Sequence, residues 1–552
     1  FNLGALGSYT LDPYNGYQKF LTEVGNSTAP AMVVAIGSTL LANPGITNQD
    51  AAEIVMTQGF APLTIPAIIP ALDRNLPITG PSGRDASNSS FNQTDGPSES
   101  SMIDAELRWA LHDVPLLGDV EFKARGGWDR WNMTQTPEAD GTQLVILDTQ
   151  SWQHRKTWVG EINISSQNDG PISWLAGFFY FDSERHQENG TLTPFGLPPL
   201  LRSSSDFETK GYAPFAQVYV NPFELFGVDE LDGEIWAGIR YNHDESSTET
   251  SNPNPSPLCN CSADGSDIFR QVTYEFGARW FVVEDHMVYA KFSKGYKPGF
   301  QEALFDRGTS SGRIESLINS VDSEIIRAIE VGWKGTWWDG RAQTSLNYFH
   351  YSYSDLQVPK ITASVVRTEN AASATNQGAE FELRLQPTEE WAVQFAAGWL
   401  DATFDEFCSN DELDFTAGDT VACAAEIAAG GAGFLDLSGN TLEDSPEFEL
   451  SFMTSYTIDL GDMGTLTPVA IVTWTDDYYR RGFNRDDYDL VDSYSRSDLR
   501  LIWKSVDERY EMELFVQNLE NELVYARTIA VEVPTAAVEF GLLPPRVFGV
   551  RF

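Results

Sequence analysis

A repeated amphipathic unit constrains this chain more than any other feature. Runs of about ten to fifteen residues alternate apolar and polar side chains with a period of two, which is the pattern of β-strands with one apolar face. In residues 379–386, for example, Phe381, Leu383 and Leu385 alternate with charged or amide side chains. Short turns join the runs into pairs, and long polar segments join one pair to the next. This pattern predicts an antiparallel sheet of consecutive hairpins with its long connections at one edge.

Roughly eighteen runs can be counted along the chain. They fall at 1–11, 102–111, 120–131, 158–166, 172–182, 215–221, 234–242, 271–283, 287–295, 326–338, 342–356, 378–386, 392–404, 447–458, 466–475, 494–505, 509–519 and 547–552. The long connections are predicted at 132–151, 183–206, 243–268, 297–322, 357–376, 405–446, 476–493 and 520–544, and a very long insertion at 12–100. Alternating short turns and long loops are typical of outer-membrane barrels. We therefore predict an all-β fold, a transmembrane antiparallel up-and-down β-barrel.

The two faces of each predicted strand differ in the way a barrel requires. Leu499, Leu501 and Trp503 alternate with Asp498 and Arg500. A Lys or Arg facing lipid near the bilayer midplane would cost about 2–4 kcal/mol, so the charged face is expected to line the lumen. The chain also ends on an aromatic residue, Phe552, within an amphipathic run, and a closed barrel needs such a last strand to remove its open edge.

Composition narrows the classes of function. No window approaches the roughly 18 apolar residues of a membrane helix, while aromatic residues make up 12% of the chain and suit the interfacial girdles of a barrel. The formal net charge of −44 disfavours non-specific binding of nucleic acid. The acidity itself is more typical of a solvated surface than of a cation-binding device.

The four cysteines are candidates for disulfides. Cys408 and Cys423 would close a loop of about 15 residues, which is a sensible cross-link in an oxidising compartment. Cys259 and Cys261 could bridge each other or pair across loops, and their connectivity stays open. The spacing of the four fits no zinc site well.

No catalytic pattern is present in the sequence. The six histidines are scattered over different predicted strands and loops, and the common nucleophile, zinc-protease and phosphate-loop motifs are missing. The expectation is therefore a protein that is not an enzyme and has neither a cofactor nor a metal centre.

The segment 476–489 is the best candidate for contacts with a ligand. It gathers Tyr478, Tyr479, Arg480, Arg481, Phe483 and Arg485 in one predicted external loop. Aromatic rings and guanidinium groups together suit planar or anionic ligands through stacking and forked hydrogen bonds. The alternative is a ring of interfacial aromatics with arginines that extend toward the headgroups. Tyr296 and Lys297, at the start of another predicted loop, form a weaker candidate of the same kind.

Several strings resemble the barrel of TonB-dependent outer-membrane receptors. They are GIRYNHDE at 238–245, VYAKFSKGYKPGF at 288–300, the run 329–358, NQGAEFELR at 376–384, FVQNLENE at 515–522 and PPRVFGVRF at 544–552. The resemblance implies a 22-stranded barrel around an amino-terminal plug. It also implies uptake of a scarce small-molecule ligand such as a ferric siderophore, haem, cobalamin or an oligosaccharide, driven by TonB, ExbB and ExbD. Phe552 would be the signal read by the outer-membrane assembly machinery.

The resemblance also sets expectations for location and extent. The protein would lie in a Gram-negative outer membrane among lipid and lipopolysaccharide, with long loops outside and with short turns and the carboxy terminus in the periplasm. The sequence shows no plug-like region before Phe1. We therefore expect residues 1–552 to be the carboxy-terminal portion of a longer polypeptide, and we expect the plug and the first strands of the barrel to lie outside these residues. The alternatives are a passive eighteen-stranded porin, and a surface-binding protein that uses the 12–100 insertion.

Overall fold

The structure is a computed structural model. It describes residues 98–135, 148–168, 170–192, 202–228, 231–251, 259–260, 262–307, 314–362, 365–410, 423, 434–486, 489–531 and 537–552. The predicted run at 1–11 and nearly all of the predicted insertion at 12–100 lie outside the described residues.

One antiparallel sheet dominates the fold, and 18 strands belong to it. They are β1 (Ser98–Val114), β2 (Gly118–Gln135), β3 (Asp148–Ser166), β4 (Ile172–Leu192), β5 (Arg202–Val220), β6 (Asp232–Ser251), β8 (Ser262–Val283), β9 (His286–Lys297), β12 (Glu324–Trp337), β13 (Ala342–Thr362), β14 (Val365–Leu385), β15 (Trp391–Glu406), β18 (Phe448–Tyr456), β19 (Ile458–Asp459), β20 (Thr465–Thr475), β23 (Tyr494–Lys504), β24 (Glu511–Gln517) and β27 (Val547–Arg551).

The strands pair in the order in which they occur along the chain. β1 pairs with β2, β2 with β3, and so on to β24 with β27, while the two-residue β19 continues the line of β18 beside β20. Every predicted run from 102–111 onward is a strand, which confirms the predicted fold class. Among the described residues, the outer edges of β1 and β27 pair with no other strand.

The pairing register separates an apolar face from a charged face. On the first face, Ile239 of β6 lies opposite Tyr274 of β8, and Phe276 lies opposite Phe292 of β9. Ile239 is 58% exposed and Phe276 is 52% exposed, as expected of side chains that contact lipid. The face behind them carries charged side chains that pair across strands, and it lines the lumen.

The strands extend well beyond the predicted runs at the rim of the long connections. The predicted loops at 183–206, 243–268 and 357–376 are largely strand, because β4 continues to Leu192, β8 begins at Ser262, and β13 and β14 extend to Thr362 and from Val365. The extension of β4 is polar on both faces, and those of β13 and β14 carry only scattered apolar residues such as Val358 and Ile361, so they lack the alternation that reveals a strand in a sequence. The loop prediction was wrong there, since backbone hydrogen bonds continue without an apolar face.

Several short strands lie in the connections between the strands of the main sheet. At the rim of the long connections, β10 (Phe300–Arg307) pairs with β11 (Ile314–Val321), and β11 pairs in parallel with β7 (Cys259–Asn260). Three further pairs are β16 (Cys408–Asn410) with β17 (Phe434–Asp436), β21 (Tyr478–Tyr479) with β22 (Leu490–Val491), and β25 (Tyr525–Val531) with β26 (Ala537–Leu542).

Two short helices lie at the opposite rim. α1 (Pro222–Leu225) is capped by the Asn221 side chain, which accepts hydrogen bonds from the first-turn amides, and a 3-10 turn covers Gly461–Met463. Within the described ranges, no helix is both long and apolar enough to cross a bilayer.

Candidate functional site

The lumen wall is charged and cross-linked. The Lys291 ammonium group lies 3.1 Å from Glu330 and 4.0 Å from Glu275, each on a neighbouring strand. Near the end of the chain, Arg551 donates to Glu513 across β24 and β27 at 2.7 Å. These pairs keep charge on the inner face of the barrel, where a polar solute or protein segment would meet hydrogen-bonding groups instead of apolar surface.

The hairpin formed by β10 and β11 is packed inside the mouth of the barrel. β9 ends at Lys297 and β12 begins at Glu324, whereas their neighbours β8 and β13 continue further outward. The chain between β9 and β12 turns inward instead. Thr248 Oγ1 donates to the carbonyl of Gln301 at 2.8 Å, and the Gln301 amide donates to Ser246 Oγ at 3.2 Å. Ser246 and Thr248 lie on the lumenal face of β6, so the hairpin narrows the mouth from within.

The opposite side of the hairpin is attached to β14. Glu302 Oε2 accepts a hydrogen bond from the Thr368 amide at 2.8 Å, and Asn319 Nδ2 donates to the Thr368 carbonyl at 2.6 Å. The hairpin therefore bridges two tall parts of the wall, β6 with β8 on one side and β14 on the other. Six described strands of the wall, from β6 to β14, are linked through this single inserted element.

Gln357 of β13 holds the two ends of the hairpin together. Its Nε2 donates to the carbonyl of Pro298, before β10, at 3.1 Å and to the carbonyl of Asp322, after β11, at 2.9 Å. Its backbone amide donates to Glu324 Oε2 at 3.0 Å, and the side chain is buried. Because one side-chain amide donates to carbonyls at both ends, it fixes the distance between Pro298 and Asp322 at the base of the hairpin.

The predicted ligand segment at 476–489 folds back on its own neighbours. Tyr478 is buried in a small cluster with Val491 and Val524. Burial raises the pKa of the Tyr478 phenol to about 12. Arg480 donates through Nη1 to Asp444 Oδ1 at 2.9 Å and through Nη2 to the Tyr525 carbonyl at 2.7 Å. These contacts join three separate connections of the rim.

The second arginine of the segment makes a buried ion pair. Arg481 Nε donates to Asp489 Oδ1 at 2.6 Å, and the Asp489 side chain is fully buried. Asp489 Oδ2 also accepts from the Arg485 amide at 3.1 Å. The Phe483 ring packs under the Arg481 guanidinium group and against the apolar cluster around Phe404. The segment is thus a closed turn organised around Asp489.

Tyr479 and the weaker candidate pair differ in their surroundings. The Tyr479 hydroxyl donates to Asp486 Oδ1 at 2.8 Å, and this hydrogen bond raises the pKa of the phenol. Tyr296, at the top of β9, donates to Asp244 on β6, and its neighbour Lys297 is exposed. Tyr296 and Lys297 lie beside the inserted hairpin. The 476–489 segment lies between β20 and β23, so the two groups of candidate residues are on different parts of the rim.

The four cysteines and Phe552 are the remaining residues singled out from the sequence. Cys408 and Cys423 are joined by a disulfide across the connection between β15 and β18. Cys259 lies in β7, and the side chains of Cys259 and Cys261 are outside the described residues. Phe552 follows β27 and is 93% exposed.

Sequence reasoning missed the residues that place the hairpin, among them Gln301, Glu302, Gln357 and Thr368. All are polar residues in segments without periodicity, and nothing in their spacing indicates that they meet.

A single sheet with one lipid-compatible face, a charged lumen and a hairpin packed inside its mouth defines a membrane-spanning β-barrel. The chain belongs to the TonB dependent receptor-like β-barrel family, whose family model matches residues 58–519. Members of this family are outer-membrane β-barrels and transport receptors. The resemblance seen in the sequence is thereby confirmed.

Individual relatives are distant. The pesticin receptor of Yersinia pestis is 24% identical over 408 residues, which are 73% of this chain and 51% of the relative, so the chain spans about half the length of the curated relatives it matches. Among solved structures, the ferric yersiniabactin uptake receptor of Yersinia pestis matches with a TM-score of 0.62 and 17% identity, covering 82% of this chain and 62% of that chain. A siderophore receptor from Acinetobacter baumannii matches with a TM-score of 0.56 and 14% identity, covering 82% and 64%. At these identities the likeness shows a shared fold.

Proposed function

We propose that this chain forms the barrel of a receptor that actively takes up a scarce nutrient across a Gram-negative outer membrane. The observation that carries the proposal is the family match over residues 58–519. The printed names of the similar structures include receptors for ferric siderophores, which makes a ferric siderophore the first ligand to test, before haem, cobalamin and oligosaccharides. Energy would come from TonB, ExbB and ExbD acting through a plug domain.

The proposed orientation places the rim of the long connections outside the cell. The ligand would then meet the inserted hairpin and the 476–489 segment before it reaches the charged lumen, while the short turns and Phe552 face the periplasm. Direct contact between Arg480 and an anionic ligand would require the guanidinium group to exchange Asp444 for the ligand. A planar ligand could stack on Tyr479 without such an exchange, because Tyr479 lies outside the buried cluster around Tyr478.

Uptake of a radiolabelled ferric siderophore by whole cells tests the function. We expect cells with the complete polypeptide to accumulate the label and cells lacking the gene to lose that accumulation on at least one siderophore. Removing ExbB and ExbD should abolish uptake as fully as removing the receptor. Uptake that persists without these proteins and follows the external concentration would instead indicate a passive porin, and uptake that never depends on this gene would contradict both.

Phe552 is proposed as the signal for assembly into the membrane. Its side chain lies at the end of the last strand and is 93% exposed, so its loss disturbs little packing within the protein. Phe552→Ala should lower the amount of assembled, heat-modifiable barrel in the outer membrane several-fold. Phe548→Ala, on the same face of β27, is the matched control, and equal effects of the two substitutions would remove the special role of the terminal residue.

A further inference from the structure

A row of two arginines between two aromatic residues crosses the inner wall of the barrel. The pairing register places Arg155 of β3 opposite Arg185 of β4. Trp131 of β2 is the partner of Arg155 on its other side, and Phe207 of β5 is the partner of Arg185. Tyr180 of β4 is on the outer face, and Arg185 follows it by an odd number of residues, so the row faces the lumen. Neighbouring strands lie about 4.8 Å apart, so the row spans about 14 Å of the wall.

The row lies at the mouth of the barrel, beside the inserted hairpin. Arg185 follows Tyr180 in the direction of the long connections, within the part of β4 that extends beyond the predicted run. At the end of the row, Thr248 of β6 is the register partner of Phe207 and donates to the Gln301 carbonyl of the hairpin. Among the described residues, the hydrogen bonds of β10 and β11 to the wall reach β6, β8 and β14 and none of the strands that carry the row. The two arginines therefore face the side of the mouth that the hairpin leaves open.

The aromatic rings hold both guanidinium groups in place. The Arg155 Cζ atom lies 5.6 Å from the centre of the Trp131 ring, and the Arg185 Cζ atom lies 4.1 Å from the centre of the Phe207 ring. A ring attracts a guanidinium group through its face and leaves the N–H groups free to donate hydrogen bonds. Two forks of donors are thus arranged side by side on adjacent strands.

The positive charge of the row is only partly neutralised. Arg155 Nη2 lies 3.4 Å from Asp129 Oδ2 on β2. Within the described part of the chain, Arg185 is partly buried and makes no ion pair within 4 Å. Arg480 of the 476–489 segment, by contrast, is engaged by Asp444. Like charges directly opposite each other destabilise a sheet, and an anion that bridges Arg155 and Arg185 would remove that repulsion.

The neighbouring side chains on the inner wall are polar and uncharged. Thr157 and Ser183 form the next register pair toward the membrane, with their hydroxyl oxygens 3.4 Å apart. Gln153 and Gln187 form the next pair toward the long connections. The adjacent acidic residue of β4, Glu184, points to the outer face. An anion at the row would therefore meet hydrogen-bonding groups on both sides.

We propose that Arg155 and Arg185 bind the carboxylate groups of an anionic ligand at the mouth of the barrel. A guanidinium fork binds a carboxylate through two parallel hydrogen bonds, and two adjacent forks suit a ligand with more than one carboxylate. The identification of that ligand as the cargo, an anionic ferric chelate with free carboxylates, rests on the proposed function. The anion site itself rests on the geometry of the row.

Isothermal titration calorimetry of the complete polypeptide in detergent tests the proposal, with citrate as the probe. Citrate carries several carboxylates, and its trimethyl ester has the same skeleton without their charge. We expect the wild-type protein to bind citrate at least about tenfold more tightly than the ester. Equal affinities for the two compounds, or no measurable binding of citrate, would overturn the proposal.

Substitutions of single arginines locate the site. Arg185→Gln should weaken citrate binding about tenfold, and Arg185→Lys, which keeps the charge but not the fork, should weaken it several-fold. Arg130→Gln is the matched control, because Arg130 precedes Trp131 on β2 and is exposed on the outer face. It should leave the affinity unchanged. Equal losses in Arg130→Gln and Arg185→Gln would assign the binding to overall charge and overturn the site. All variants are first checked for heat-modifiable folding.

Asp129→Asn tests whether the anion uses both arginines. Citrate competes with the Asp129 carboxylate for Arg155, so this variant should bind citrate several-fold more tightly than the wild type. Unchanged or weaker binding would overturn the bridging of Arg155 and Arg185. Uptake by whole cells is measured separately. A protein that binds citrate in this pattern but transports no chelate would contradict the proposed function and leave the anion site standing, whereas siderophore uptake without any citrate binding would do the reverse.

Discussion

The lower and upper parts of the same strands differ in the chemistry of their outer face. We define the membrane belt as the strand segments from the short turns to Trp158 on β3, Tyr180 on β4 and Tyr212 on β5, and its outer face is apolar. In the upper rim, which comprises the strand extensions and connections beyond these aromatic residues, the outer face carries Glu245, Ser247 and Glu249 on β6. Between β6 and β8, for example, the ladder of backbone hydrogen bonds runs through both parts without a register shift. The difference shows that the bilayer, and not the sheet, requires the alternating pattern.

The two parts are also stabilised differently. The belt relies on its apolar side chains facing lipid, where an unpaired charge is costly. The upper rim relies on specific polar contacts, such as those of Gln357 and Asp489, which join connections that are far apart in sequence. A substitution that disrupts a polar contact of the upper rim should therefore leave the belt folded, and a charge placed in the belt should leave the polar contacts of the rim unchanged.

The largest effect is expected at the buried ion pair of the upper rim. Asp489→Ala removes the fully buried carboxylate that accepts from Arg481 Nε, and breaking a buried ion pair typically costs about 3–5 kcal/mol. We expect the 476–493 connection to open and to be cleaved much faster by protease, while the belt remains heat-modifiable. Asp477→Ala removes an exposed carboxylate from the same connection and serves as the control. Unchanged cleavage of the Asp489 variant would show that the ion pair does not hold the turn closed.

A charge placed in the belt should have the next largest effect. Ala237→Arg puts a guanidinium group on the lipid face of β6 and should lower the free energy of unfolding by about 2–4 kcal/mol. Ser247→Arg, on the same strand and the same face but in the upper rim, should change it by no more than about 0.5 kcal/mol. Urea unfolding in lipid vesicles measures both values. Equal costs at the two positions would place the limit of the membrane elsewhere.

The third largest effect is expected at Gln357, which holds the two ends of the inserted hairpin together. Gln357→Leu removes the donor shared by the Pro298 and Asp322 carbonyls, but the Asp322 carbonyl keeps its hydrogen bond from Asn370, so the cost should lie near the lower end of about 1–3 kcal/mol. We expect faster hydrogen exchange at the ends of β10 and β11. Gln343→Leu changes an exposed glutamine on the same strand and should have no effect on the hairpin. Identical exchange in the two variants would mean that the contacts to β6 and β14 suffice to hold it.

The same division explains what the sequence could predict. Phe381 and Leu383 alternate with Glu380 and Glu382 because lipid and lumen demand opposite chemistry, and this demand is visible in belt segments such as 379–386. No such demand acts on the upper rim. Its strand segments lack a regular apolar face and were predicted as loops.

The candidate site shows the same limit at single residues. Tyr478, Arg480 and Arg481 were recognised as a group from composition, which indicates suitable chemistry but not which partner each side chain has. Arg480 pairs with Asp444, which is 36 residues away in sequence, and no local pattern predicts that pair. The prediction that this segment contacts a ligand remains a prediction.

The smallest effect is expected in the lumen, where the belt meets water instead of lipid. Arg125 pairs with Asp104 at 2.9 Å, but the side chains are 60% and 39% exposed. Water and salt screen such a pair, so Arg125→Gln should lower the free energy of unfolding far less than Ala237→Arg does, and still less at high salt. Urea unfolding at two salt concentrations measures this value. A loss as large as that of Ala237→Arg would mean that the lumen at this height excludes water, and the inner face would then obey the same rule as the outer one.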